Sequence, residues 1–227
     1  MDATPEPAAP DSAALALLEP GEARIVGSLI EKAAITPEVY PLTVNAIVAA
    51  CNQKTSREPV MHLETGAVAN LLRRMEERGL VKVAPASQRA IRYEHRFDAI
   101  YGVTARQRAV LCALLLRGAQ TLAELHTRTE RLTDFPGVDD VRDTLDRLMQ
   151  REPALVVRIP RGPGQREDRY MHLLGGPVDI PAETEAPARS TPRAPGLEER
   201  IARLEDEVAS LRDELADLRA QRDRSAE

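Results

Sequence analysis

The chain has 227 residues, of which 43% are hydrophobic, 30% charged and only 3% aromatic, with no Trp. That argues against an aromatic stacking platform for single strands or sugars, and no apolar run approaches the roughly 18 residues of a membrane helix. The formal net charge of −5 gathers at the ends: residues 1–19 carry −4 and 175–227 carry −5, whereas 20–96 carry +3 and 104–174 carry +2.

The opening residues, MDATPEPAAPDS, are acidic and Pro/Ala-rich. They lack the basic and apolar regions of a signal peptide, so a disordered tail over 1–19 and a cytoplasmic address are expected. From Pro20 the pattern turns helical, with Ile25, Val26, Leu29 and Ile30 on one face. TPEVYP makes a short extended connection, and Thr43 caps a second helix burying Val44, Ile47 and Val48. After the polar loop NQKTSREP, a third helix begins near Thr65, buries Val68, Leu71, Leu72 and Met75, and ends at Gly79. Leu80–Val83 and Ala90–His95 are β-prone around a turn at PASQ. Helix, extended piece, helix, helix, strand, turn, strand is the order of a winged helix-turn-helix, here spanning 20–96.

That order repeats over 104–174. Thr104 caps a helix carrying Val110, Leu111, Leu114 and Leu115 and ending at Gly118. Gln120–Leu122 supplies the extended piece and Ala123–Arg131 the second helix, while the third buries Val141, Leu145 and Leu148. Leu155–Ile159 and Arg169–Leu174 flank the loop PRGPGQRED. First helices starting roughly 85 residues apart suit tandem copies of one plan, and these two winged helices are expected to account for the core.

Residues 175–196 have the Pro/Ala/Thr/Glu composition of a linker. A coiled coil is predicted over 197–224: Leu197, Ile201, Leu204, Val208, Leu211, Leu215 and Leu218 alternate spacings of four and three. Branched residues at a with Leu at d favour a parallel pair, and Arg200–Glu205, Glu207–Arg212 and Glu214–Arg219 would face each other with opposite sign across a homodimer. The alternative is a single amphipathic helix folding back on the body. The predicted fold is thus mainly α with small β-wings (α+β): tandem winged helix-turn-helix domains followed by a C-terminal coiled-coil helix.

Three segments, CNQKTSREPV at 51–60, LLLRGAQT at 114–121 and RYMHL at 169–173, resemble the signature stretches of the YceH family, also called UPF0502, a group of bacterial proteins. The likeness spans roughly residues 18–176. It implies a tandem winged-helix body and no established activity.

In winged helices that bind duplex DNA, the third helix enters the major groove and the wing touches the backbone. Here the exposed side of the third helix offers Asn70, Arg73 and Arg74, side-chain types that read adenine and guanine edges. The preceding loop offers Lys54 and Arg57 for phosphates, or else its polar side chains satisfy the loop's own backbone. The wings offer Arg89 and Arg92 in the first copy and Arg161 and Arg166 in the second, where permissive hairpin turns are the plainer reading. Asp139, Asp140, Asp143 and Asp146 make the second copy's third helix a poor DNA reader and a better protein contact.

Cys51 and Cys112 lie in apolar helical patterns, as buried reduced thiols do. His62, His95, His126 and His172 lack metal-ligand spacing, and neither a P-loop nor a nucleophile elbow occurs. No metal, cofactor or enzymatic activity is expected. The expectation is a homodimer joined by its coil that binds duplex DNA in the manner of a transcription regulator. The alternative is a protein-interaction module that uses its winged helices as docking surfaces for a protein partner, without nucleic acid or membrane.

Overall fold

Pro20, whose ring pre-sets the first helical φ, opens α1 (Pro20–Ile35). Just before it, the Glu19 N–H donates to Glu22 Oε2 at 3.0 Å. The computed structural model describes residues 16–85, 90–162 and 164–178. Residues 1–15, Arg89, the linker from 179 onward and the predicted coil with its seam Leu197–Leu218 lie outside the described residues.

After α1, TPEVYP forms a 3₁₀ turn at Pro37–Val39 and leads into β1 (Leu42–Thr43). The Thr43 hydroxyl accepts from the Ala46 N–H at 3.3 Å and so starts α2 (Val44–Cys51). α3 (Thr65–Glu77) follows the polar loop, and Gly79 at φ 71° lets the chain leave it through a left-handed turn. β2 (Val81–Val83) and β3 (Arg92–His95) form an antiparallel hairpin, and β1 pairs with the outer side of β3. Opposite Lys82 in this register stands Glu94, and the two form an ion pair at 2.5 Å.

The second half follows the same plan. Thr104 and Gln107 close a reciprocal capping box on α5 (Ala105–Arg117), and Thr121 and Glu124 close another on α6 (Leu122–Thr129). α7 (Val138–Met149) buries Val141, Leu145 and Leu148. β4 (Val156–Ile159) pairs antiparallel with β5 (Arg169–His172), and Gln120 bridges to Tyr170 in the place that β1 takes in the first half. The protein is therefore mainly helical with two small antiparallel sheets. No helix among the described residues is long and apolar enough to cross a membrane.

Two features depart from the sequence expectation. Residues 97–103, which lie outside both expected winged helices, contain α4 (Phe97–Tyr101), whose two aromatic rings are buried 4.7 Å apart. Of the tail expected over 1–19, the described residues 16–19 lie against the body before α1. Leu18 is buried and its N–H donates to Leu174 O at 2.7 Å, while the Tyr101 hydroxyl donates to Ala16 O at 2.6 Å.

The halves also share one interior. α1 is buried without a break from Glu22 to Ile30, and α5 from Ala109 to Leu116. A helix buried on every side belongs in the middle of a core, and these two lie against each other there. Gly27 permits the approach: a Cβ at that position would come within 2.9 Å of Leu116 Cγ and Cδ2. One continuous cluster of buried apolar side chains runs from Leu18 to Leu174 through both halves.

Candidate functional site

α3 is held by one stripe, with Val68, Leu72 and Met75 fully buried. At a 3.6-residue period this turns Asn70, Arg73 and Arg74 to solvent. Asn70 Oδ1 accepts from Arg73 Nη2, and Arg74 Nη2 reaches Glu19 Oε2 at 2.8 Å. The next arginine along, Arg78, is committed to the body: it grips the buried Glu22 carboxylate through Nη1 at 2.8 and 2.9 Å. The first turn, Thr65-Gly66-Ala67, is exposed, and nothing lies within 4 Å of where a Gly66 Cβ would be.

The loop between α2 and α3 has a different role from the one its donors suggest. Arg57 is only 4% exposed. Its guanidinium donates to both Glu31 oxygens at 3.1 and 2.6 Å, to Ala50 O at 3.0 Å and to Ser56 O at 2.8 Å. Arg57 is thus spent inside the protein, and a phosphate outside cannot reach it. Asn52 behaves similarly, exchanging two 2.8 Å hydrogen bonds with the Leu63 backbone and so fixing the approach to α3. Arg24, 1% exposed, donates to Cys51 O at 3.1 Å and Pro59 O at 2.6 Å. Burial first, and then the neighbouring Arg57 charge, pull the Arg24 guanidinium below its ordinary pKa. Of this loop's two candidate cations only Lys54 is exposed.

On the wings, Arg92 donates to Pro41 O at 2.9 Å, which pins β3 to the chain before β1. In the second half, the Arg161 N–H donates to Asp168 Oδ1 at 3.0 Å, so the hairpin tip is braced by its own carboxylate. Arg161 and Arg166 are both exposed beside a groove of about 810 Å³ that also runs along α6 and α7. The groove mixes signs: Arg142, Arg158, Arg161 and Arg166 stand with Asp146, Glu167 and Asp168. The acidity of α7 is partly answered within the half, since Arg142 pairs with Asp139 and Arg106 reaches Asp140 at 3.3 Å. The candidate residues therefore do not form one surface. Asn70, Arg73 and Arg74 share α3, Arg161 and Arg166 border the second-half groove, and Arg57 lies in the interior.

Among the described residues no group of three His, Cys, Asp or Glu side chains is placed to hold a metal. His172 is buried and its imidazole is held down to about 4 by burial alone, while His95 is lowered chiefly by burial.

Residues 18–165 match the family model described as "Protein of unknown function, DUF480". A UPF0502 protein of Xanthomonas axonopodis pv. citri is 53% identical over 178 residues, covering 78% of this chain and 79% of its own. Another from Mesorhizobium japonicum is 51% identical over 189 residues, covering 82% and 89%. A third from Stenotrophomonas maltophilia is 50% identical over 191 residues, covering 82% and 87%.

Proposed function

The chain belongs to the UPF0502 family, and on that premise we propose that it is a dimeric duplex-DNA-binding protein of the transcription-regulator kind, built on two winged helices. The observation that carries this reading is α3. Its buried stripe presents Asn70, Arg73 and Arg74 outward, its first turn is unobstructed, and it adjoins β2 of the β2–β3 hairpin. That is the arrangement by which a helix enters a major groove while a wing lies on the backbone. The heptads of 197–218 supply the dimer. A second copy doubles a modestly basic surface, and linkage raises avidity without any new contact. On this reading the protein acts in the cytoplasm by binding and carries out no catalysis.

Titrating the intact protein with random duplex DNA at two salt concentrations tests the reading. Binding that weakens steeply with salt is the expected outcome. Charge reversal at Arg73 and Arg74 should abolish it while leaving the thermal unfolding midpoint close to the parent's. Absence of binding at low salt overturns the reading.

One observation favours a second reading, docking of a protein partner. The groove along α7 sets apolar Leu122, Val138 and Met149 beside charges of both signs, which suits a polypeptide better than a uniformly anionic duplex. Loss of a co-purifying partner on Arg142→Glu, with recovery of that partner insensitive to nuclease, would select it.

A further inference from the structure

We propose that the cleft between the two halves is a binding site for a small phosphate-bearing molecule of about the size of a diphosphate or nucleotide. The three distinctive segments CNQKTSREPV, LLLRGAQT and RYMHL, far apart in the chain, each contribute to its wall, through Lys54, Arg117 and Arg169 respectively. The cleft measures about 410 Å³, within the range of small-molecule sites. Its lining is polar and predominantly cationic: Arg128 joins Lys54, Arg117 and Arg169, the buried Arg57 lies behind them, and Glu58 and Glu124 are the carboxylates of the wall.

Internal pairing leaves part of this charge unanswered. Arg57 is neutralised by Glu31. Arg128 and Arg169 share a single carboxylate, that of Glu124, at 3.1 and 3.3 Å. Their other contacts are neutral: Arg128 Nη1 donates to Gln120 Oε1 at 2.6 Å and Arg169 Nη1 to Ala119 O at 2.9 Å. Neutral acceptors fix where a guanidinium points without cancelling its charge, which is how a site is pre-organised for an incoming anion. Arg117, in the last turn of α5, is half-buried, and its guanidinium makes no hydrogen bond or ion pair among the described residues. Burial, then the Arg128 charge, depress its guanidinium. The carboxyl of Glu124 would rise on burial, but hydrogen bonds from Thr121 and the charges of Arg128 and Arg169 hold it below its ordinary pKa. Against Lys54, Arg117, Arg128 and Arg169 stand the two carboxylates Glu58 and Glu124, so the cleft still carries an excess of positive charge.

The C-terminal end of a helix accounts for one cation, since Arg117 offsets the α5 dipole there. It does not account for the approach of Lys54 and Arg169 from other segments. A phosphoryl group does, because planar guanidiniums and an ammonium converging from several sides match its oxygens. This inference stands apart from DNA binding by α3, with which it shares neither Arg73 nor Arg74. It moves Lys54 from a duplex contact to the cleft.

The test is calorimetric titration of the full-length chain with inorganic pyrophosphate in a phosphate-free, low-salt buffer. One saturable site per chain is expected. Arg117→Gln should weaken it by about tenfold or more, as loss of a charge-assisted hydrogen bond does. Lys54→Ala should also weaken it; that side chain is exposed, so the variant keeps the readout should Arg117→Gln fold poorly. Reversing Arg73 and Arg74 should leave pyrophosphate binding unchanged, whatever it does to duplex binding. The proposal is overturned by no saturable binding at millimolar pyrophosphate, or by binding that neither cleft variant weakens. It is equally overturned if Arg117→Gln lowers duplex affinity while pyrophosphate does not bind, since the cleft would then hold a backbone phosphate.

Discussion

Arg57 and Glu31 face each other through two hydrogen bonds of 3.1 and 2.6 Å, the arginine side chain fully buried and the glutamate 13% exposed. The pair joins α1 to the loop that follows α2, and the same guanidinium holds Ala50 O at the end of α2. Removing one member strands a buried charge, which costs more than the pair itself contributes. Arg57→Ala is expected to lose about 3–5 kcal/mol of stability, read as a lower urea midpoint. An unchanged midpoint would show that the guanidinium is not a structural member.

Gly27 sits where α1 meets α5. In an open helix Gly→Ala gains about 1 kcal/mol of helix propensity. Here the new methyl would press on Leu116, itself 3% exposed and with little room to yield. Overpacking costs of about 1–3 kcal/mol should outweigh the gain, so Gly27→Ala is expected to unfold at lower urea than the parent. A midpoint above the parent's would mean that the crossing is looser than the distances indicate.

His172 makes stability depend on pH. Burial lowers its folded value to about 4 from 6.5. Between those values the unfolded chain takes up a proton that the folded imidazole refuses. The stabilisation is complete above pH 6.5 and is lost as pH falls towards 4, amounting to about 3 kcal/mol. His95, lowered chiefly by burial, acts in the same direction. Chemical denaturation across that interval should show a shallower slope for His172→Asn than for the parent. Parallel curves would remove His172 as the cause.

Both thiols should be inert in the folded protein. Cys51 and Cys112 are fully buried, burial pushes both thiols up, and Cys112 Sγ donates to Gly27 O at 3.3 Å. A disulfide-exchange reagent at mild alkaline pH should label neither in native protein and both in denaturant. Rapid native labelling would place a thiol at a surface.

What the sequence made legible follows from how locally each feature is encoded. α3 announces itself by Val68, Leu72 and Met75 at helical spacing, and α2 and α5 by the caps Thr43 and Thr104. The repeated element order follows from such signals. α4 has five residues, too few for a periodicity to show, and only the nearness of Phe97 to Tyr101 hinted at it. The sequence leaves Arg57 open between a phosphate contact and a partner of its own loop's backbone, because Glu31 lies 26 residues away and burial by a distant segment leaves no mark on the loop itself. The eight-residue run AVLCALLL in α5 did carry a signal for its all-round burial, as an apolar stretch with no solvent face. The cleft escaped because Arg117, Arg128 and Arg169 look like ordinary surface arginines until the fold assembles them with Lys54.

The 2.7 Å bond from Leu18 N–H to Leu174 O lays the segment entering the body beside the turn that leaves it. Peptide continuity around α1–β5 is therefore nearly circular. A short Gly/Ser tether from residue 178 to residue 16, with new termini opened at the exposed tip of the β4–β5 hairpin, should give a permuted body with the same packing. For fusion engineering, cargo attached before residue 16 and cargo attached after residue 178 would leave from one edge, within reach of each other.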